Sequence, residues 1–393
     1  MREASISSRV SAIRLLVAKV QRSGRRPRTL RVSVSKLVAI ALVCCAPLSQ
    51  SAAQTLDQLI EAAKREAKVV VLGQPDPQVR LDVPAAFKAR YGITVEYRGQ
   101  RGGESAAKLR AERAAGLYTA DVILAGPQTM ATVLHKEKML DPIKPILVMP
   151  EVLDGSKWKS GKPWFMDPEQ QYILRLFNGV ESVMGINTSS VAAGELKSFR
   201  DLLDPKWKGK ISIKDPTVTG SGANQAVRFY LQFGADFFKR LYIDQKPMIS
   251  RDQRQLTDWL LRGVAPISLN ADDDELTKMR KEGFPVQMIY AMPGLTGTLS
   301  AGVGQVAMLK NAPHPNAAKL FVNWIASKEG LETYAKSVGY ATTRNDINES
   351  AFVAPEMIPR SGVEYFDTYE WSFVMTTQEE TRLKIKELMS KHQ

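Results

Sequence analysis

Two glycine-rich segments carry residue types that bind anions. Residues 101–105 read Arg-Gly-Gly-Glu-Ser and residues 217–222 read Thr-Val-Thr-Gly-Ser-Gly, and predicted helices follow them from Ala106 and Ala223. A helix start offers backbone N–H groups without intrahelical partners and the positive end of the helix dipole, and glycine lets a ligand approach the backbone closely. The segments therefore predict two anion-binding points. The alternative is that these serines and glycines are only N-caps and turn formers.

Groups that perform catalysis are scarce in this sequence. The 3 histidines are His135, His314 and His392, and the 2 cysteines are Cys44 and Cys45. No Gly-x-Ser-x-Gly motif follows a predicted strand, and no Gly-Lys-Ser/Thr completes a phosphate-binding loop. Nucleophilic catalysis has no local support, so we expect a protein that binds its ligand and does not convert it, without a cofactor.

Two further clusters allow a functional and a structural interpretation. The acidic run at residues 270–275 could bind a metal ion through Asp272, or it could cap a helix and complement its dipole, which we favour. The aromatic residues between 365 and 373 could form a sugar platform. Their irregular spacing instead favours packing beneath a C-terminal helix predicted at residues 379–390.

The net charge of +13 is concentrated at the N-terminus. Residues 1–53 hold +9, which leaves +4 for the remaining 340 residues, so binding to nucleic acid is not expected. The same region has a basic stretch, an apolar run at residues 37–48 and small residues at Ser51 and Ala53. This pattern predicts a cleaved export signal ending near Ala53. Both cysteines fall inside it, so the mature chain is expected to have no disulfide. Because of the export signal we expect the mature chain in the periplasm, and we expect it to be a monomer.

Helical patterns alternate with short runs of β-branched residues along the rest of the chain. Examples are the predicted helix at 56–67 followed by a strand at 68–72, and the helix at 223–233 after a strand at 210–213. The alternation predicts α/β layers with parallel sheets. The chain would form two lobes and cross between them near residues 185–188 and 290–300.

The order of these pieces resembles an ABC-transporter solute-binding protein of extracellular family 1, in the group of the periplasmic ferric-ion-binding proteins. The segments that carry the resemblance extend over roughly residues 55–340 and are 119–122, 185–187, 202–210, 215–217, 220–222, 302–304, 314–318 and 321–325.

The resemblance implies a type II periplasmic-binding fold, in which two α/β lobes joined by crossing strands enclose a solute and the closed form docks on a membrane permease. Lobe 1 is predicted at 54–186 and about 300–345, lobe 2 at 187–299, and a C-terminal helical segment at 346–393 packs on both.

Ferric binders of this group typically use a pair of adjacent tyrosines. The corresponding region follows Asn270, where the sequence reads Ala271-Asp272 in place of a tyrosine pair. No Tyr-Tyr pair occurs in the sequence. Hard ferric iron requires anionic oxygen donors, so iron becomes the second hypothesis, with Asp272 or a bound anion as ligand. The first is a small organic or phosphorylated anion. Its predicted contacts are Gln74, Arg101, Gly103, Ser105, Gln128, Tyr172, Arg175, Thr219, Ser221 and Asn270.

Overall fold

The computed structural model describes residues 54–218, 220–300 and 302–392. The predicted export signal, its cysteines and the cleavage position at Ala53 lie outside these residues, as does the predicted ligand contact Thr219. Among the described residues, no helix combines the length and the apolar character needed to cross a membrane.

The first sheet has six strands in the order β2-β1-β3-β13-β4, with β5 beside β13. Its strands are β1 (Lys68–Gly73), β2 (Thr94–Gly99), β3 (Val122–Ala125), β4 (Leu140–Asp141), β5 (Leu174–Arg175) and β13 (Gln305–Leu309). The expected parallel pairing holds for β1 with β2 and β3. It is wrong for β13, which is antiparallel to its neighbours β3, β4 and β5. The reason is topological: β13 enters this sheet only after the chain has returned from the second one.

The second sheet has five strands in the order β11-β7-β10-β8-β9. They are β7 (Met184–Asn187), β8 (Ile211–Lys214), β9 (Met248–Ser250), β10 (Ile267–Ser268) and β11 (Val286–Ile289). Strand β8 is parallel to β9 and β10, whereas β7 is antiparallel to β10 and β11. This sheet is therefore also mixed.

A three-stranded sheet, β14-β12-β6, holds the segments that connect the two larger sheets. Its strands are β6 (Gly179–Glu181), β12 (Gly297–Ser300) and β14 (Tyr365–Asp367). Strands β6 and β12 are antiparallel, and β14 lies parallel to β12. The prediction of two α/β lobes joined by crossing strands is thus confirmed, and β14 adds a strand that the sequence pattern did not indicate.

Ten α-helices cover the sheets within the described residues. They are α1 (Leu56–Glu66), α2 (Pro77–Tyr91), α3 (Gly102–Ala114), α4 (Pro150–Leu153), α5 (Ser221–Lys239), α6 (Gln253–Leu261), α7 (Asp273–Lys281), α8 (Pro315–Ala326), α9 (Lys328–Val338) and α10 (Gln378–Ser390). A π-helical segment at Thr129–His135 follows β3. Helix α5 is interrupted at Gly234, whose φ of 83° is readily adopted only by glycine.

Aromatic side chains pack against one another within the mainly aliphatic interiors of both lobes. Phe87 packs against Phe321 and Trp324 beside the first sheet, with ring centroids 5.3 and 5.2 Å apart. Beside the second sheet, Phe199 packs on Phe229 at 4.4 Å. Each fully buried ring of this size contributes about 1.5–3 kcal/mol relative to exposure. Packing in these cores fixes the positions of the sheets and of the polar residues that line the cleft.

Candidate functional site

A cleft of about 2330 Å³ is lined by residues of the second sheet and its helices, by the crossing strands and by the end of β3. Residues of the C-terminal segment, including Tyr365, Tyr369 and Gln378, complete its wall. The first sheet contributes residues 126–129, which follow β3. The position agrees with the general location of ligand sites in clefts between structural units.

One face of α5 forms a polar side of the cleft. Ser221, Asn224, Gln225, Arg228 and Gln232 all line it. Their spacing of three, four, seven and eleven residues after Ser221 places them on one stripe of a helix. The opposite face is apolar and buried, so packing against the core fixes which side chains α5 presents to the cleft.

The start of α5 lies beside the ammonium group of Lys214. The Lys214 Nζ lies 3.1 Å from Ser221 Oγ and 3.3 Å from Gln253 Oε1, and both partners line the cleft. Burial lowers the pKa of the Lys214 ammonium, and the positive charge of Arg101 lowers it further, while Asp252 and Asp272 oppose the change. Arg101 and Lys214, contributed by α3 and β8, therefore act on each other electrostatically.

Gly222 allows α5 to begin close to β8. A Cβ at this position would lie 2.8 Å from the backbone oxygen of Lys214. The N-cap residue Gly220 has no side chain with which to cap the helix. The first N–H groups of α5 are consequently left to other acceptors.

Asn270 and Asp272 also line the cleft, with different roles. The Asn270 Oδ1 accepts from the backbone N–H of Lys214 at 3.2 Å. The Asp272 Oδ1 accepts from the backbone N–H of Glu275 at 3.0 Å, and Asp272 is the N-cap of α7. The capping role that we favoured for the acidic run is therefore present in the structure.

Gln128 is joined to α5 through the C-terminal helix. The Gln128 Nε2 donates to Gln378 Oε1, and the Gln378 Nε2 donates to Asn224 Oδ1. All three residues line the cleft. The amide chain thus links the end of β3, the first residue of α10 and the polar face of α5, and the sequence pattern did not identify Gln378 or Asn224.

The predicted contacts Arg101, Gly103 and Ser105 do not line the cleft in the described part of the chain. Helix α3 starts at Gly102, earlier than predicted, so Gly103 and Ser105 belong to its first turns, with Ser105 buried and Gly103 exposed. Gly102 approaches Thr129, which does line the cleft, so closely that a Cβ there would be 2.4 Å from Thr129 Oγ1. Arg101 is exposed at the N-cap.

Gln74, Tyr172 and Arg175 do not line the cleft in the described part of the chain. The backbone oxygen of Gln74 accepts from the Tyr97 hydroxyl at 2.9 Å. The ring of Tyr172 packs edge-on against His135 at 5.3 Å.

Arg175 is 1% exposed, and its charge is satisfied internally. Its Nη1 lies 2.7 Å from Asp367 Oδ2, and its guanidinium stacks over the rings of Trp164 and Tyr369 at 4.2 and 4.6 Å. The geometry gives Arg175 a role in holding β14 to the first sheet.

Arg228 is another cleft residue that the sequence prediction missed. It is 3% exposed, and its Nη1 donates to Thr298 Oγ1 on β12. Burial lowers its pKa to about 10, partly offset by the negative charge of Glu181. The available signal was a charged residue between Val227 and Phe229 in an otherwise apolar stretch.

One group of metal-binding side-chain types occurs among the described residues, away from the cleft. Donor atoms of His135, Asp167 and Glu169 lie within 4.8 Å of one another. The Asp167 carboxylate accepts from three backbone N–H groups, those of residues 171, 172 and 173, at 2.7–3.0 Å. Those bonds give Asp167 a structural function in its loop.

Two α/β lobes, crossing strands and a polar cleft together define a class of protein that binds a solute between its lobes. The sequence profile of the bacterial extracellular solute-binding proteins matches residues 83–358, and the chain belongs to this family. This membership confirms the resemblance to solute-binding proteins found in the sequence. An uncharacterized protein of Haemophilus influenzae Rd is 28% identical over 266 residues, which cover 63% of this chain and 69% of that protein.

Solved structures share the fold at low sequence identity. Iron-bound HitA from Pseudomonas aeruginosa has a TM-score of 0.58 and 18% identity, covering 80% of this chain and 99% of its own. AfuA from Actinobacillus pleuropneumoniae, with fructose-6-phosphate bound, has a TM-score of 0.56 and 20% identity over 83% and 98%. The apo ferric ion-binding protein A of Pasteurella haemolytica has a TM-score of 0.62 and 15% identity over 82% and 98%. One fold thus carries different ligands, so the ligand follows from the cleft residues.

Proposed function

We propose that this protein is the periplasmic component of an ABC importer, that it binds a small organic or phosphorylated anion in the cleft, and that it delivers the anion to a membrane permease. The observation that carries the proposal is the Lys214 ammonium beside Ser221 at the uncapped start of α5. A positive side chain, a hydroxyl and free helix N–H groups at one point favour a negatively charged group.

The amide side chains of the cleft support an anion in the same way. Asn224 and Asn270 each use the side-chain oxygen within the protein, accepting from Gln378 and from the Lys214 backbone. The groups that remain to face a solute are therefore their NH₂ donors. A wall that presents donors is suited to the oxygens of a carboxylate or phosphoryl group.

Arg101 contributes from the opposite lobe in this proposal. Its charge acts on Lys214 across the start of α5. Two cations held near each other repel in the empty protein, and an anion between them relieves the repulsion. Closure of the lobes would bring Arg101, Gly103 and Ser105 to the solute, with Gln128 and Thr219 completing the contact.

We also propose that the protein is exported and that it is a monomer. Residues 1–53 act as an export signal cleaved near Ala53, and the mature chain works in the periplasm as a monomer. N-terminal sequencing of the periplasmic protein and its mass in solution test both points. The chain would act without catalysis, so any turnover of a bound solute contradicts the proposal.

Native mass spectrometry of the mature protein, with metal analysis of the same sample, tests the ligand. We expect a small organic mass that disappears on denaturation, without stoichiometric iron. Stoichiometric iron would contradict the anion proposal and favour the second hypothesis, ferric iron held by oxygen ligands such as Asp272 or by a bound anion. A neutral solute would also contradict it.

A further inference from the structure

Arg228 is a buried cation without a matching anion in the described part of the protein. Its Nε and Nη2 have no hydrogen-bond acceptor there, and both atoms are shielded from bulk water. Among the described residues, the negative charge of Glu181 acts on the guanidinium without making a hydrogen bond to Nε or Nη2. Leaving a buried charge unpaired is strongly destabilising. Arg228 therefore calls for an acceptor other than the described residues.

The position of Arg228 shows where that acceptor would lie. Arg228 lines the cleft on the same helical stripe as Ser221 and Asn224. Its Nη1 is fixed by Thr298 on the crossing strand β12, which leaves the edge with Nε and Nη2. Those two N–H groups point in parallel from one side of a guanidinium and match the two oxygens of a carboxylate or phosphoryl group.

We propose that Arg228 is the anchor for an oxyanion group of the solute, bound through Nε and Nη2 at the floor of the cleft. This inference rests on the proposed function and deepens it. Seven residues of α5 separate Ser221 from Arg228, a rise of about 10 Å. The solute therefore carries one carboxylate or phosphoryl group at Arg228 and a second negatively charged group that reaches Lys214 and Ser221 at the start of α5.

Removal of the Arg228 charge should weaken anion binding and increase the stability of the empty protein. Replacing an unpaired buried cation with an apolar side chain of similar length removes a desolvation cost, so Arg228→Met should raise the melting temperature of the empty protein by about 2 °C while abolishing anion binding. Arg228→Lys keeps the charge but loses the two parallel bonds, and it should bind more than about tenfold more weakly than the wild type.

The experiment compares wild type, Arg228→Met, Arg228→Lys and the control Asp236→Ala, which alters an exposed residue of the same helix that does not line the cleft. Calorimetry measures binding of citrate, inorganic phosphate and fructose 6-phosphate to protein freed of solute by unfolding and refolding, and calorimetric melting measures stability. Binding of citrate alone identifies a carboxylate, and binding of a phosphate probe alone identifies a phosphoryl group. Loss of that binding in Arg228→Met, with a higher melting temperature, supports the inference.

Two results overturn the inference while the proposed function stands. One is an unchanged affinity of Arg228→Met for an anion that the wild type binds. The other is a lower melting temperature of empty Arg228→Met, which would make Arg228 a structural residue. A wild type that binds none of the three anions, or that carries a neutral solute from the periplasm, overturns both the proposed function and this inference.

Discussion

The Gln378 side chain donates its Nε2 to Oδ1 of Asn224 at 2.5 Å, and this bond joins a residue beyond the family-matched region to the polar face of α5. The same amide accepts from Gln128 after β3. The C-terminal segment is thereby part of the cleft wall. Its predicted role was only packing, and the additional role follows from a single amide at the start of α10.

Gln378→Ala should remove both bonds and lower the free energy of unfolding by about 1–2 kcal/mol. The reason is that Gln378 is only 7% exposed to water. Water therefore does not replace the hydrogen bonds that the amides of Gln128 and Asn224 lose. Urea unfolding measures the change. Glu380→Ala, at an exposed position in the same turn, is the control and should change stability by less than about 0.5 kcal/mol. Equal effects of the two substitutions would contradict the bridging role.

Arg101→Ala and Ser221→Ala should each weaken binding of the solute more than about tenfold, the scale of a charge-assisted hydrogen bond. Titration calorimetry with the anion identified by mass spectrometry gives the affinities. Lys88→Ala removes an exposed charge from α2 and controls for the overall field. If both affinities equal that of the control, the assignment of these two residues is wrong.

Affinity for the anion should fall as the pH rises through the pKa of Lys214, which burial holds below the usual range of a lysine ammonium. The sign follows from linkage: a bound anion favours the charged ammonium and raises its pKa, so binding takes up protons at pH values near that pKa. Calorimetry in two buffers with different ionisation enthalpies measures the uptake. Lys214→Arg stays charged and should lose the dependence; retention of the full dependence would assign it to another group.

Asp367→Asn should destabilise the protein by about 3 kcal/mol, because it leaves the buried Arg175 without its carboxylate. Asp258→Asn breaks an exposed pair with Arg262 and serves as the control, with an expected change below about 1 kcal/mol. Thermal and urea unfolding provide the comparison. Similar losses in the two variants would show that the Arg175 pair has no special importance.

Gly222→Ala should destabilise the protein by about 1–3 kcal/mol, since the added Cβ meets the backbone of β8. Gly103→Ala provides a matched contrast, because nothing lies within 4 Å of its Cβ position. It should raise stability by about 0.5–1 kcal/mol through helix propensity. Unfolding measurements on both variants test the effects on stability. The affinity of Gly103→Ala for the solute tests the predicted contact of Gly103.

Most helices and strands could be predicted from the sequence pattern, because apolar spacing and caps are local signals. Helix α1 and the C-terminal helix α10 each differ from their predicted bounds by one residue. The antiparallel entry of β13 was not predictable, since pairing depends on where the chain returns after about 180 residues. The cleft was predicted at the start of α5, where glycine and serine mark a helix terminus. Arg228 and Gln378 were missed because burial and cross-chain partners leave no local pattern.

The insertion of β13 between β3 and β4 has a consequence for the order of folding. Until residues 305–309 are available, the edge of β3 has no partner and β4 has no strand on which to pair. A chain interrupted before that point would expose Val122 and Leu124, which are buried in the complete protein. The last quarter of the polypeptide is therefore required for its first sheet to form, so N-terminal fragments should not fold independently and should be sensitive to proteases.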